Sequence, residues 1–285
     1  MNLKLRTNSQ FTIDNSQLNI TGSKSETNRL LLLQALFPNI TLTNTSNSDD
    51  SEVMQKALKG NEEIVDIHHA GTAMRFLTAF FAVNEGREVV LTGSQRMTER
   101  PIKVLVEALE QLGAKISYEN EVGYPPIQIK GQKITASKVS IPANVSSQYI
   151  SALLLVAPKL ENGIEITLVG EITSVPYIKM TLALLNDLDV KTSFEGNVIS
   201  VYPKQEVASK IMTVESDWSS ASYFFSLVAL AKSASISLTS YKETSLQGDS
   251  ALIEIYKQMG VATHFENNKM TLVKQTGFEP KNLRL

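Results

Sequence analysis

Four stretches of this chain repeat one pattern: a short β-prone segment, a polar turn, then a helix-length run that is apolar on nearly every side. They read "LNITGSKSETNRLLLLQALF", "EEIVDIHHAGTAMRFLTAFFA", "KVSIPANVSSQYISALLLVAP" and "KIMTVESDWSSASYFFSLVALA". A β-rich stretch follows each: "NITLTN", "EVVLTG", "GIEITLVG" and "SISLTS". A second helix comes next, and the last three of these end alike, in "QLGAKISY", "DLDVKTSF" and "QMGVATHF", before a closing strand. Internal repetition of this kind marks a supersecondary unit that cannot bury its apolar face alone. A helix without a polar face has to be surrounded. The second helices are amphipathic; in "PIKVLVEALEQLG", Ile102, Val106 and Leu109 share a stripe that Lys103, Glu107 and Glu110 avoid. The pattern predicts an α/β fold of βαβαββ units with helices inside, sheets outside and the first-helix N-termini on one face. Free N–H groups at helix N-termini attract anions.

The boundary candidates are "ITGS" near Gly22 and "TVESDW" near Asp217. Three units lie between them and one after. The expected first domain is 22–215, and the second combines 1–21 with 216–285 through two chain crossings.

Composition narrows the function. The chain has 285 residues and a net charge of −2, which argues against a nucleic-acid-binding surface. No segment is long and apolar enough to span a bilayer. The N-terminus shows no cationic start followed by an apolar stretch, the pattern of a signal peptide. A soluble, cytoplasmic chain is the expectation. Cysteine is absent, which excludes thiolate catalysis and Cys-based zinc sites. The three histidines are His68, His69 and His264, and an adjacent pair cannot face one ligand from a regular element, so no metal site is predicted.

The polar turns are the candidate site. In the first, Ser23 and Glu26 form an S-x-x-E capping box. Lys24 sits in the same turn, where the helix dipole disfavours a cation, and Ser25 and Arg29 are four apart on one face. A solvated helix start is the ordinary reading; an anion seat is the sharper one. Gly71 opens the second helix and is either a turn glycine or a gap through which a ligand reaches the backbone. Arg75 lies four residues on, and Arg96 and Arg100 precede a helix start at Pro101. Ser146, Ser147 and Gln148 at the third helix exceed what capping needs and suit a phosphate. Ser174 and Tyr177 stand at the next start, where Ser174 alone is an ordinary cap. Asp49, Asp50 and Asp217 read as helix caps without chemistry.

Together with the repeats, "GSKSETNRLLLLQAL", "SDD", "AGTAMR", "LTGSQRMTERPI", "YPPIQI", "VSSQYISALLLVAP", "PYI", "SSASYFF" and "LQGD" resemble the enolpyruvyl transferase family, and within it the 3-phosphoshikimate 1-carboxyvinyltransferases, or EPSP synthases. The resemblance implies the family's inside-out α/β barrel. It implies transfer of the enolpyruvyl group of phosphoenolpyruvate to the 5-hydroxyl of shikimate 3-phosphate with release of phosphate, in the shikimate pathway of aromatic amino acid biosynthesis. It implies no metal and no organic cofactor, two small-molecule substrates, a usually monomeric enzyme and glyphosate as a competitor of phosphoenolpyruvate. Carried over by position, Lys24 contacts both substrates. Ser25, Arg29, Ser146, Ser147 and Ser174 hold shikimate 3-phosphate. Gly71 and Arg100 line the phosphoenolpyruvate side, Gln148 lies between the ligands, and Tyr177 is a weaker match.

His69 departs from the Asn or similar small polar residue usual before "AGTA", and Phe76 from a common Pro. The sister transferases acting on UDP-N-acetylglucosamine usually carry Lys-Asn and a loop cysteine, against Lys24-Ser25 and no cysteine here. The family draws its acid and base from units five and six, which have no counterpart up to Leu285, so the catalytic residues are unknown. The resemblance thus reads as the first four of six units, an N-terminal fragment inactive alone. A non-catalytic anion-binding relic is the alternative. The fourth unit, unable to cover its own helix, is expected to leave Phe224, Phe225, Leu227, Val228 and Leu230 exposed, with self-association or disorder of 216–285.

Overall fold

A computed structural model describes residues 12–173 and 175–278 of the chain. Repeat one contributes β1 (Thr12–Leu18), α1 (Lys24–Leu36), β2 (Ile40–Thr43) and α2 (Asp49–Lys59). Repeat two runs β3 (Ile64–Asp66), α3 (Gly71–Val83), β4 (Glu88–Thr92), a one-turn helix α4 (Gln95–Thr98), α5 (Lys103–Gln111), β5 (Lys115–Tyr118) and β6 (Ile127–Lys130). Repeat three runs β7 (Lys138–Pro142), α6 (Ser147–Val156), β8 (Ile164–Val169), α7 (Val175–Asn186), β9 (Thr192–Glu195) and β10 (Val198–Val201). Repeat four runs β11 (Lys210–Thr213), α8 (Trp218–Leu230), β12 (Ser233–Thr239), α9 (Leu252–Lys257), β13 (Val261–Glu266) and β14 (Lys269–Lys274). The helix expected at Pro101 starts two residues later, with Ile102 as its N-cap.

Two compact units result, residues 24–212 and residues 1–23 with 213–285. Repeats two and three each close their own sheet, in the orders β3-β4-β6-β5 and β7-β8-β10-β9. The entering strand runs parallel to the next one, and a hairpin completes the sheet antiparallel. Repeats one and four exchange their entering strands. β1 joins the sheet of repeat four, in the order β1-β12-β14-β13, and β11 pairs with β2 of repeat one. Same unit, different donor strand: the exchange is why the chain crosses twice.

In the unit of 24–212, α1, α3 and α6 touch one another in all three pairings. Their apolar residues carry the core: Leu30 to Leu33 on α1, Met74, Phe76 and Leu77 on α3, and Ile150 and Leu153 to Leu155 on α6 are all buried. The amphipathic α2, α5 and α7 pack on them with one face, and in α5 the buried positions are Leu105, Val106, Ala108 and Leu109.

The other unit corrects an expectation. Of the residues predicted to be exposed on α8, Phe225 and Val228 are fully buried, with Trp218, Ile236, Leu238, Tyr241, Met270 and Leu272 around them. One repeat therefore builds a two-layer core by laying its helix on a four-stranded sheet that includes β1. Phe224 is partly buried against that core, while Leu227 and Leu230 are exposed. Glu215, itself buried, accepts bonds from Trp218 Nε1 at 2.8 Å, Lys242 N at 3.0 Å and Ser245 Oγ at 2.8 Å. Burial raises the Tyr241 hydroxyl well above the ordinary phenol range, and it donates to Asp217 O at 2.8 Å.

Truncating Phe225 to Ala should cost about 3–5 kcal/mol. Leu230→Ala, at a position 58% exposed, should stay within about 0.5 kcal/mol. Urea denaturation of the two variants checks this, and equal losses would mean that α8 is not one-faced.

Candidate functional site

The first turns of α1, α3 and α6 open into one cleft of about 820 Å³. Lys24 enters it from α1, Gly71 and Thr72 from α3, and Gln148 from α6. Three helix N-termini bring N–H groups without intrahelical partners, and positive potential, to one place. The segment around α4 forms another wall with Ser94, Arg96, Met97 and Arg100; Asp50 and His69 complete the lining. Three cations thus share the lining with one carboxylate, an arrangement that favours anions.

Backbone contacts set the α4 wall. Ser94 N donates to His68 O at 2.8 Å. A Cβ on Gly93 would come within 2.4 Å of that same carbonyl, so only glycine allows the two loops to meet. The carbonyl of Pro101, next to Arg100, accepts from Arg75 Nη2 at 2.8 Å and from Tyr149 OH at 2.7 Å. Arg75 also donates to Gly71 O at 3.2 Å, and Tyr149 lies under its guanidinium at 5.7 Å. Burial lowers the pKa of Arg75, with Tyr149 acting in the opposite direction. Arg75 therefore clamps the Arg100 loop between α3 and α6.

Gly71 makes room for Arg100. A Cβ there would stand 2.4 Å from Arg100 Nη1. The contact replaces the ordinary turn-glycine reading with a specific one: the missing side chain seats a guanidinium over the start of α3. Gln148 donates from Nε2 to Thr72 Oγ1 at 3.2 Å, joining α6 to the α3 entrance. Its backbone N–H reaches Ser146 Oγ at 3.4 Å, which makes Ser146 the N-cap of α6.

Arg29 lies deeper and is buried. Its Nε donates to Thr181 Oγ1 at 2.8 Å, Nη1 to Ser25 O at 2.7 Å and Nη2 to Ser151 Oγ at 3.1 Å. These acceptors are neutral, and the rings of Phe76 and Tyr177 lie 5.5 and 6.0 Å away. Burial lowers its pKa to about 10, with Tyr177 and Glu26 opposing, so it remains a cation at neutral pH.

Of the residues singled out in the sequence, Lys24, Gly71, Arg100 and Gln148 meet in the cleft. Ser25 and Arg29 are joined to each other, Ser147 is buried in the first turn of α6, and Tyr177 is partly exposed on α7. These, with Ser146, are outside the described cleft lining. Ser174 lies outside the described residues. Asp49 and Asp50 are not caps: Ser48 is the N-cap of α2 and both acids occupy its first turn, whereas Asp217 does cap α8, accepting from Ser220 N at 2.7 Å. Thr72, Ser94 and Met97 went unnoticed in the sequence. Thr72 was within reach, sharing a first turn with Gly71; the loop packing that brings in Ser94 and Met97 leaves no local signal.

Comparison with known proteins agrees with the motifs. The model of the EPSP synthase (3-phosphoshikimate 1-carboxyvinyltransferase) family matches residues 58–285. A 3-phosphoshikimate 1-carboxyvinyltransferase of Bacteroides fragilis strain YCH46 is 43% identical over 258 residues, covering 90% of this chain and 63% of its own. That of Histophilus somni is 38% identical and covers 86% and 63%. A solved EPSP synthase from Acinetobacter baumannii superposes with a TM-score of 0.74 at 21% identity, over 95% of this chain and 66% of its own, and shares the fold. The chain belongs to the EPSP synthase family and has the enolpyruvyl transferase fold. It spans a little under two thirds of the length of these first curated relatives.

Gly71→Ala should displace Arg100 without harming the helix, because Ala is the better helix former by about 1 kcal/mol. We expect unchanged or raised thermal stability together with anion affinity about tenfold weaker, the scale of one charge-assisted bond. Calorimetric titration with inorganic phosphate and a thermal melt check the two halves.

Proposed function

We propose that the cleft and the residues around the buried Arg29 serve enolpyruvyl transfer from phosphoenolpyruvate to shikimate 3-phosphate, with release of phosphate. The observation that carries the reading is the meeting of Lys24, Arg96 and Arg100 at the N-termini of α1 and α3, in a chain of the EPSP synthase family. Both substrates carry a phosphate and a carboxylate, so their site must collect several anionic groups. Phosphoenolpyruvate lies against Gly71 and Arg100, where the guanidinium sits over the helix entrance. Shikimate 3-phosphate takes Ser25, Arg29, Ser146, Ser147 and Ser174, with Tyr177 at its edge. Lys24 reaches both ligands and Gln148 lies between them.

The chemistry is addition followed by elimination. The substrate hydroxyl adds to C2 of phosphoenolpyruvate and gives up its proton while a proton enters C3; the tetrahedral adduct then loses phosphate from C2 and a proton from C3, which restores the double bond. The cations of the cleft stabilise the charge that develops on the phosphate and carboxylate groups. In this reading residues 22–215 form the shikimate 3-phosphate side and 1–21 with 216–285 belong to a second domain. The protein works in the cytoplasm; among the described residues no helix is long and apolar enough to cross a membrane. Tyr223, Leu227 and Leu230 on α8, all exposed, are the surface through which this chain would self-associate.

Shikimate 3-phosphate should bind this chain without phosphoenolpyruvate. Ser147→Ala, a change that leaves the α6 cap Ser146 in place, should weaken that affinity about tenfold if the hydroxyl donates to the phosphate. Titration calorimetry measures both, and unaltered affinity in the variant would remove Ser147 from the site.

A further inference from the structure

A carboxylate in a cleft made for anions needs a reason. Asp50 lines the cleft beside Lys24, Arg96 and Arg100, and its charge repels any ligand those cations attract. Its mount is more elaborate than a solvated surface acid requires. Ser51 Oγ donates to Asn28 Oδ1 at 2.9 Å, with both residues buried. Ser48 Oγ donates to Ser51 Oγ at 3.2 Å, and Ser46 N donates to Thr27 Oγ1 at 2.9 Å. This polar clasp ties the first turn of α2 to the second turn of α1. It leaves Asp50 Oδ1 at 3.8 Å from Lys24 Nζ. The Asp50 side chain is only 17% exposed, whereas that of Lys24 is 49% exposed. The acid is held and the lysine is not.

We infer that Asp50 is a positioning residue for Lys24. It keeps the lysine's flexible stem turned into the cleft before a ligand arrives. A free lysine loses rotamer freedom when it binds, at a cost that preorganisation removes. The clasp makes that ordering part of the fold. Paired with Lys24, Asp50 also carries part of its field into a local dipole, which softens its repulsion of the ligand.

The inference rests on the cleft being the phosphoenolpyruvate site, and the test separates the two. Asp50→Asn removes a negative charge with little change of shape. If Asp50 acts only through its field, phosphoenolpyruvate binds the variant more tightly. If it positions Lys24, binding weakens by about twofold to tenfold, the range expected for one side chain left to be ordered by the ligand. Repeating the change in a Lys24→Gln background isolates the coupling: there Asp50→Asn should tighten binding or leave it unchanged. A second measurement needs no ligand. Relaxation of the 13Cε group of Lys24, assigned by its loss in Lys24→Gln, should report a more mobile side chain in Asp50→Asn. Failure of the unmodified chain to bind phosphoenolpyruvate would overturn the assignment of the cleft and leave the relaxation measurement to decide the role of Asp50. Affinity equal to or tighter than that of the unmodified chain in Asp50→Asn, or unchanged Lys24 relaxation, would overturn the positioning role.

Discussion

A helix that is apolar on every side has to be enclosed, and the architecture of the 24–212 unit follows from meeting that requirement three times. No single sheet can cover α1, α3 or α6, so the three cover each other and the amphipathic α2, α5 and α7 and the sheets take the outside. Helices packed in this way in repeated units start at one end. Their first turns cannot be apolar, because each leaves N–H groups without intrahelical partners. The cleft is therefore the polar end of an apolar bundle, and its positive potential is a consequence of the packing before any side chain is considered. Lys24, Arg96 and Arg100 add charge to a place the backbone has already made positive.

The two arginines of α1 and α3 show how one spacing yields two outcomes. Arg29 and Arg75 each donate back to the carbonyl four residues earlier, of Ser25 and of Gly71. Arg29 then spends its remaining reach on the hydroxyls of Thr181 and Ser151, across to α7 and α6. Arg75 instead takes the carbonyl of Pro101 and so fixes the loop that carries Arg100. Both are buried and both have lowered pKa values through burial. In one case the guanidinium ties α1 to α6 and α7; in the other it holds a neighbour that lines the cleft.

Much of this was legible because the repeats multiply the signal. One apolar run such as "YISALLLVA" is ambiguous, but four in register with four polar turns specify helices, their burial and the end at which they begin. Lys24, Gly71, Arg100 and Gln148 stood out as residues a plain helix start does not need. Asp50 did not, because acids in a first turn satisfy the helix dipole and look fully explained; only the Asn28–Ser51 clasp, between residues 23 positions apart, reveals where its carboxylate goes. The misjudged exposure of Phe225 and Val228 has a similar origin. A count of repeats suggests that a lone unit has nothing to lay its helix against, but the count overlooks the unit's own strands, since α8 packs on β12 and β14.

The pairing of β1, from the far end of the chain, with β12 is stabilised by local chemistry. Gly22 bridges to Ser216, Ser23 N donates to Glu215 O at 2.9 Å, and Asp217 N donates to Thr21 O at 3.1 Å. The Ser216 hydroxyl reaches Ile20 O at 2.7 Å and Thr239 O at 2.9 Å. Two segments almost two hundred residues apart are thus fastened before each enters its helix. The bonds use backbone groups that an extended crossing would otherwise leave unpaired. The carbonyl of Glu215 belongs to this fastening while its side chain gathers Trp218, Lys242 and Ser245. The residue that joins the crossing segments is therefore also the one that roots the α8 core. Exchange of entering strands between repeats one and four follows from this economy: a strand pinned at its exit pairs with the sheet that pins it, even when its own repeat lies in the other unit.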